Sequence, residues 1–540
     1  MEVGYNLVEM RHRRGHSNIR DIVKRIRQFN RLNLLANISR IAAKLDNEPG
    51  RSKRLTRIDR LGPFEYPRHS YVSSHGLASL TRLVLAHGNK WAHGPSSTED
   101  IFLLENQVSN LPSYFTTDEQ GELRPEHLFF QLAKQQFQFQ TGGGYYDLGR
   151  SIVLFKDIPS ILRSEEVPAP DLEGIFMQIT GMSIGQFMWA GFLVWTRCKN
   201  GAAVPLASFN DFIENINDKW QGPENERPTL DGIRGFLEFV SLDFVGFAAR
   251  MGDLRLQDER SIAVDFQPLL EFPIVRTPGD EYIVPIPKLL FDRFTNGLFH
   301  DFARGMQGSG QGNQFRTYFG QLLERYVGLQ LAMVFDSELL FSERNYGRDG
   351  KSTPDWVVND PSQPLAIECR SSTFTLETQK NPDVERISRD LGRIGTDTLV
   401  DIQAKIQALR QGQTHISLAS DRSPLPILCT FESLEPLGMF GAFLRREVHD
   451  STGIEPPNFY LMPLYYLETM CAGENRDSFF RAIEELEVDE KWYDMSVEGP
   501  RQRWRRTLPD PMPRNRILDE ATEEFWAAYL WPSTARPNSS

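Results

Sequence analysis

The stretch from residue 313 to residue 432 alternates between two kinds of apolar pattern, and this alternation limits the folds that the chain can adopt. Apolar residues at helical spacing predict a helix over residues 313–335. Further apolar runs have, in order, the character of three strands, a helix and a strand: 338–343, 355–358, 365–369, 396–410 and 425–431. The order helix, three strands, helix, strand predicts a mixed α/β domain.

The chain of 540 residues is too long for one hydrophobic core, so several domains are expected. Near residue 270 the sequence changes from helical patterns to short apolar segments with prolines. A glycine-rich loop precedes residue 313. We predict five consecutive ranges: a basic helical arm at 1–60, a mainly helical domain at 61–270, a strand and linker segment at 271–312, the mixed α/β domain at 313–475, and a helical extension at 476–540.

Two helices within the 61–270 range are predicted from their capping residues. The uncharged stretch 175–196 is interpreted as a buried helix that starts near Ile184 with Ser183 as its N-cap. Its uninterrupted apolar part is too short to span a bilayer, so no membrane partner is expected. The second predicted helix covers residues 230–250, with Thr229 as its cap.

Charge and cysteine usage narrow the class of protein. Residues 1–60 carry 15 basic and 6 acidic side chains, whereas the whole chain has a net charge of -12. A basic arm on an acidic body favours an anionic partner such as nucleic acid, and it equally fits a solvated amphipathic helix. The four cysteines lack the spacing of a zinc or redox site, and no secretory signal is visible, so a cytoplasmic location is expected.

Two acids in the 313–475 range are candidates for metal chemistry. Asp355 starts one predicted strand, and Glu368 lies 13 residues later in the next. Because a hairpin joins these strands, both carboxylates can reach one edge of the sheet. Phosphodiester cleavage uses a hard cation such as Mg²⁺, which prefers carboxylate and carbonyl oxygens. Asp355, Glu368 and the backbone carbonyl of Cys369 would supply such ligands, and Glu324 on the preceding helix offers a third carboxylate.

Arg370 adds a cation to this set. It lies two residues after Glu368 on the same strand face, where it could orient the attacking water or neutralise the phosphate. The structural alternatives are a turn role for Asp355 after Pro354 and a buried ion pair for Glu368. Arg370 is not expected to be that ion-pair partner, because alternate residues on a strand lie some distance apart.

The acid on the first helix, Pro354-Asp355 at the second strand and Glu368-Cys369-Arg370 on the third resemble the PD-(D/E)xK nuclease superfamily, over about residues 313–432. The resemblance implies an α/β fold: a C-terminal restriction-endonuclease-like αβββαβ domain preceded by a mainly α-helical N-terminal region. It also implies a hydrolytic site that depends on Mg²⁺ or Mn²⁺. Asp355 and Glu368 match the metal-binding acids of the family, and Glu324 matches the acid often found on its first helix.

One position departs from the pattern of the family. The family usually has lysine where this chain has Arg370. Arginine keeps the positive charge, but it cannot lose its proton and is poorly suited to activating water by proton transfer. Lys351, before Asp355, and Lys405, on the following helix, are the available replacements, and the sequence does not choose between them.

The resemblance implies a metal-dependent nuclease that cleaves DNA in restriction, repair or defence. A homo-oligomer, or a partner protein in a multi-component system, is compatible with this interpretation. The alternative is a catalytically degenerate nuclease-fold module that binds nucleic acid or a partner protein, which the acidic body of the chain favours. A third interpretation is a helical scaffold within a multi-protein complex.

Overall fold

The computed structural model describes these residues: 18–46, 72–92, 94–109, 111, 145–165, 169–198, 203–251, 267–307, 312–371, 389–390, 392–431, 448–450, 453, 459–487 and 514–527. Much of the predicted basic arm and half of the glycine-rich loop at residues 305–312 therefore lie outside the described residues.

Helices account for most of the regular structure. Their bounds are α1 Ile19–Ile26, α2 Arg31–Asp46, α3 Ser74–His87, α4 Thr98–Ser109, α5 Tyr145–Ile152, α6 Ile158–Ser164, α7 Leu172–Thr180, α8 Ile184–Cys198, α9 Asn210–Asn217, α10 Leu230–Val240, α11 Phe244–Met251, α12 Gln267–Glu271, α13 Pro287–Phe294, α14 Leu298–Gln307, α15 Gly312–Leu331, α16 Asp397–Arg410, α17 Leu464–Cys471, α18 Arg476–Glu487 and α19 Arg516–Ala527. Among the described helices, none combines the length and apolar character that crossing a membrane requires.

The strands are short, and those of the larger sheet lie in the C-terminal half. Their bounds are β1 Val204–Pro205, β2 Ser241–Asp243, β3 Ile274–Arg276, β4 Glu281–Ile283, β5 Leu340–Ser342, β6 Asn345–Tyr346, β7 Lys351–Ser352, β8 Trp356–Val358, β9 Leu365–Arg370, β10 Leu425–Thr430 and β11 Tyr460–Pro463. The expected mixed α/β class is confirmed.

The described residues form two compact units that are interleaved along the chain, whereas the sequence predicted consecutive ranges. The helical unit contains the described residues within 10–139, 171–305 and 523–540. The sheet unit contains those within 140–170 and 306–522. Helices α5 and α6 thus group with the C-terminal half, although the sequence assigned them to the 61–270 range.

In the helical unit, both predicted N-caps are present, but the helix predicted over residues 230–250 is divided into two helices, α10 and α11. The Ser183 hydroxyl accepts a hydrogen bond from the Gln186 N–H (3.0 Å) at the start of α8. The Thr229 hydroxyl caps α10 in the same way, accepting from Gly232 N–H (2.9 Å). The single helix predicted over 230–250 is wrong: the chain leaves it at Ser241 for strand β2, which pairs in parallel with β3.

Strands β1 to β4 of the helical unit form a four-stranded sheet in the order β1-β4-β3-β2. Strand β4 is antiparallel to both β1 and β3. One large apolar core joins helices α1 to α4 with residues from β3 and β4, and it includes the fully buried Ile22, Leu34, Leu80 and Leu104. The short apolar segments after residue 270, which predicted strands or extended chain, correspond to β3 and β4.

The sheet unit is built on a five-stranded sheet in the order β11-β10-β9-β8-β5. Strands β5, β8 and β9 are successive antiparallel neighbours, and β9, β10 and β11 are parallel. Helix α15 packs against β9, and α16 packs against β9 and β10. The order of elements predicted over 313–432 is that of the structure, with a hairpin of β6 and β7 inserted between β5 and β8.

A buried polar network joins α5 to the C-terminal half of the sheet unit. The Arg150 guanidinium donates two hydrogen bonds to the carboxylate of Glu468 on α17 (2.5 and 2.7 Å) and one to Asp147 (2.8 Å). The Tyr326 hydroxyl of α15 also donates to Glu468 (2.6 Å). Arg150, Asp147 and Glu468 are buried, so each charge depends on the others for its stabilisation.

Candidate metal centre

Asp355 and Glu368 face each other at the junction of two central strands. Strands β8 and β9 pair antiparallel with Trp356 opposite Ile367, and one further step in this register sets Asp355 opposite Glu368. Both side chains are buried, with 8% and 1% of their surface exposed. The backbone N–H of Cys369 donates a hydrogen bond to Asp355 Oδ2 (2.7 Å). The structure thus brings together the two acids and the peptide that the sequence singled out.

A third acid, Glu343, extends this arrangement to the neighbouring strand. Strand β5 pairs antiparallel with β8, with Ser342 opposite Trp356, so the next residues along are Glu343 and Asp355. The Glu343 N–H donates to the Asp355 carbonyl at 2.9 Å, which shows that the pairing continues to this position. Glu343, Asp355 and Glu368 therefore form a row of acids across three adjacent strands.

Helix α15 brings Glu324 to the row of acids. The Glu324 backbone carbonyl accepts a hydrogen bond from Trp356 Nε1 (2.8 Å), which ties the helix to the start of β8. The Trp356 ring occupies the space where a side chain at Gly328 would lie, so glycine permits this close approach. One carboxylate oxygen each from Glu324, Glu343 and Asp355 lie within 4.8 Å of one another.

Two cations contact Glu368 from different directions. Lys405 on α16 is buried, and its ammonium lies 2.8 Å from Glu368 Oε1 and 3.0 Å from Asp401. Arg370 lies 3.6 Å from Glu368 Oε2 and donates from Nε to the Thr398 hydroxyl (2.7 Å). The expectation that Arg370 would not pair with Glu368 is therefore wrong, because the long arginine side chain spans the distance between alternate residues.

The two candidate lysines have different positions. Lys405 contacts Glu368 directly, whereas Lys351 lies in the β6–β7 hairpin with its side chain exposed. Of the two lysines between which the sequence did not choose, Lys405 is thus the one in contact with an acid of the candidate site.

The acids strongly disfavour each other's charged form. Burial, followed by repulsion from Glu324, raises the pKa of Asp355 to about 7. Burial, followed by repulsion from Asp355, raises the pKa of Glu368 to about 7, although Lys405 acts in the opposite direction. Burial and then the carboxylates of Glu343 and Glu368 raise the pKa of Glu324 to about 7. Near neutral pH the cluster lacks enough positive charge to hold all of its acids ionised.

The donor set suits a hard divalent cation. Carboxylate oxygens are the ligands that Mg²⁺, Mn²⁺ and Ca²⁺ prefer, and a bound cation would offset the repulsion that raises these pKa values. The three closest oxygens belong to Glu324, Glu343 and Asp355, whereas Glu368 contacts Lys405 and Arg370. Glu343 therefore takes part in the acid cluster although the sequence analysis did not single it out.

The sequence analysis did not identify Glu343 and Asp401, because neither belongs to a recognisable motif. Glu343 comes to lie beside Asp355 through strand pairing, and Asp401 forms an ion pair with Lys405. Glu343 follows only from the register of β5 with β8, which cannot be counted across a simple turn because the β6–β7 hairpin is inserted between them. The contact of Asp401 with Lys405 follows from their i,i+4 spacing on one helix.

No known protein family, curated protein or solved structure matches this chain. The likeness to PD-(D/E)xK nucleases thus rests on the order of its elements and on the acids described above.

Proposed function

We propose that this protein is a metal-dependent nuclease with a restriction-endonuclease-like domain, and that the row of acids is its catalytic centre. The observation that carries the proposal is the convergence of Glu324, Glu343, Asp355 and Glu368, with Lys405, at the point where strands β5, β8 and β9 meet. Gathering four carboxylates at one point, with Asp355 and Glu368 buried, is unfavourable for folding alone, and such conflicts concentrate at functional sites.

Asp355 would be the central ligand, with Glu324 and Glu343 beside it. The Cys369 peptide supports its expected role as well. In a strand the N–H and C=O of one residue point to the same side, and the Cys369 N–H points at Asp355, so its carbonyl faces the same region. A bound Mg²⁺ or Mn²⁺ would polarise a phosphate oxygen and make a water molecule more acidic.

Lys405 and Arg370 would supply fixed positive charge beside the reacting phosphate. Burial lowers the pKa of Lys405, but the adjacent Glu368 carboxylate outweighs this effect and the net pKa is raised. Lys405 is therefore a cation at neutral pH, which suits it to stabilise negative charge rather than to accept a proton. We infer that Lys405 takes the place of the lysine that the family usually carries at position 370.

DNA is the proposed substrate, in restriction, repair or defence. The second candidate is a degenerate nuclease-fold module that binds nucleic acid or a protein without cleaving it. The observation that favours this alternative is the contact of Glu368 with both Lys405 and Arg370, which leaves this carboxylate less available to a metal.

The two candidates are separated by a cleavage assay on linear, circular and single-stranded DNA, with Mg²⁺, Mn²⁺ or EDTA. The variants are Glu368→Gln and, as a matched control, Glu338→Gln, which removes an exposed acid. Metal-dependent cleavage by wild type and Glu338→Gln, lost in Glu368→Gln, supports the nuclease. DNA binding with no cleavage under any condition supports the binding module.

A further inference from the structure

A corner of the helical unit combines exposed basic residues with an exposed tryptophan. The chain turns between α1 and α2 at residues 27–30, and this turn lies beside the described residues 88–92 and 94 that follow α3. Trp91 in that loop has 74% of its surface exposed. An exposed tryptophan contributes little to a core, so its position calls for another explanation.

The loop that carries Trp91 is firmly attached to the turn. The Asn30 side chain donates to the Ala92 carbonyl (3.2 Å), and its backbone N–H donates to the Gly94 carbonyl (3.2 Å). The Asn89 side chain donates to the Arg27 carbonyl (3.3 Å) and accepts from the Trp91 N–H (2.9 Å). The exposed indole is therefore carried by an anchored backbone, which lowers the entropy cost of using it for binding.

Basic side chains lie on the ring of this indole and on the adjoining turn and helix. The Lys90 ammonium lies over the Trp91 ring, 4.6 Å from its centroid. Arg27 is exposed on the adjoining turn, and Arg20 and Lys24 are exposed on α1. Arg25 is less available, because it forms an ion pair with Asp100 at 3.4 Å.

We propose that this basic corner binds single-stranded nucleic acid, with an unpaired base stacked on Trp91 and the adjoining phosphates contacted by Lys90 and Arg27. Aromatic rings accept any base because every base has a flat π-face, and basic side chains beside them follow the backbone. The role of this corner as a substrate-binding surface rests on the proposed nuclease function. The binding of nucleic acid itself is argued only from the residues of the corner.

A membrane surface would also attract tryptophan and basic side chains, but the burial of helix α1 argues against membrane binding. To bind a membrane, helix α1 would need an apolar face open to lipid. Its apolar residues are instead buried in the core of the helical unit: Ile19, Ile22, Val23 and Ile26. The corner therefore offers one ring and several charges, which fits an unpaired nucleotide better than a bilayer.

The test is fluorescence anisotropy of a labelled oligothymidylate with the full-length protein in EDTA, so that no cleavage occurs. We expect Trp91→Ala to weaken binding roughly tenfold, and Trp91→Phe to retain most of it because a ring remains. Lys90→Ala should lower the dependence of log affinity on log salt by about 0.7 for one lost phosphate contact. The control is Lys219→Ala, which removes an exposed lysine elsewhere in the helical unit.

Several outcomes would overturn the proposal. Equal affinity for wild type and Trp91→Ala contradicts it, as does stronger binding to phosphatidylserine vesicles than to the oligonucleotide. Metal-dependent DNA cleavage by a wild type that binds no oligonucleotide also contradicts the proposed binding site, but it is consistent with the proposed nuclease function. Binding that depends on Trp91, without cleavage in Mg²⁺ or Mn²⁺, supports the proposed binding site and contradicts the nuclease function.

Discussion

The Lys405 ammonium lies 2.8 Å from Glu368 Oε1, although the two residues are 37 positions apart and belong to helix α16 and strand β9. This contact supplies the cation that a buried carboxylate requires. It also fixes the direction of the Glu368 side chain beside Asp355. The pair thus links the packing of α16 on the sheet to the charge balance of the acid cluster.

Replacing Lys405 should damage both stability and activity. Lys405→Met leaves Glu368 buried beside a single, more distant cation, Arg370, so we expect a loss of about 3 kcal/mol in the free energy of unfolding. Urea denaturation measures this loss. Arg370→Met should cost less, because Arg370 lies farther from Glu368 and is one-third exposed. A larger loss in Arg370→Met than in Lys405→Met would contradict the assignment of Lys405 as the main partner.

Gly328 should be intolerant of even the smallest side chain. In Gly328→Ala the new methyl group would collide with the Trp356 ring, and overpacking of this kind costs about 1–3 kcal/mol. Displacement of the ring would also disturb the hydrogen bond to the Glu324 carbonyl and weaken metal binding. The control is Gly320→Ala on the same helix, where the methyl group has room and should be neutral or slightly stabilising. Equal unfolding midpoints for the two variants would contradict the packing argument.

The stability of the metal-free protein should fall as pH rises from about 4 to about 7. Burial and repulsion from Glu324 raise the pKa of Asp355 from 3.8 to about 7 in the folded chain. Over this window the folded state binds more protons than the unfolded state, so increasing pH favours unfolding, and the loss is complete above about pH 7. Urea denaturation in EDTA from pH 4.5 to pH 8 should show this trend. The trend should be weaker in Asp355→Asn, and identical slopes for the two proteins would contradict it.

The network around Arg150 should be essential for the sheet unit. Arg150→Met leaves the buried Glu468 and Asp147 without their shared cation, and we expect a loss of more than about 3 kcal/mol in the free energy of unfolding. Arg163→Met, which changes an exposed arginine of the same unit, should cost far less. Thermal unfolding compares the two variants. A small effect in Arg150→Met would contradict the role of Arg150 as the shared cation of Glu468 and Asp147.

The local pattern of residues 313–432 contained most of the information about the sheet unit. Apolar periodicity predicted α15, α16 and the strands because each element buries one continuous apolar face. The same reasoning failed at Ser241, where pairing with β3 interrupts a helical pattern. The ion pair of Arg150 with Glu468 could not be predicted either, because the two residues are 318 positions apart and no local sequence pattern indicates such a contact.

The candidate site was only partly accessible from the sequence. Asp355 and Glu368 lie in a motif, so their juxtaposition could be predicted from one hairpin. Glu343 required the exact register of a second strand pair, which is set by the turn between β5 and β8 and its inserted hairpin. Lys405 required the packing of a helix on the sheet, which side-chain periodicity alone does not determine.

The central claim, that these acids form a metal centre, is tested most directly by calorimetric titration of Mn²⁺ into wild type and Asp355→Asn at pH 8, with Glu338→Gln as the control. We expect saturable Mn²⁺ binding, displaced by Mg²⁺, in wild type and Glu338→Gln, and an affinity at least roughly tenfold weaker in Asp355→Asn. Equal Mn²⁺ affinity in wild type and a folded Asp355→Asn, or no binding to wild type, would contradict the account.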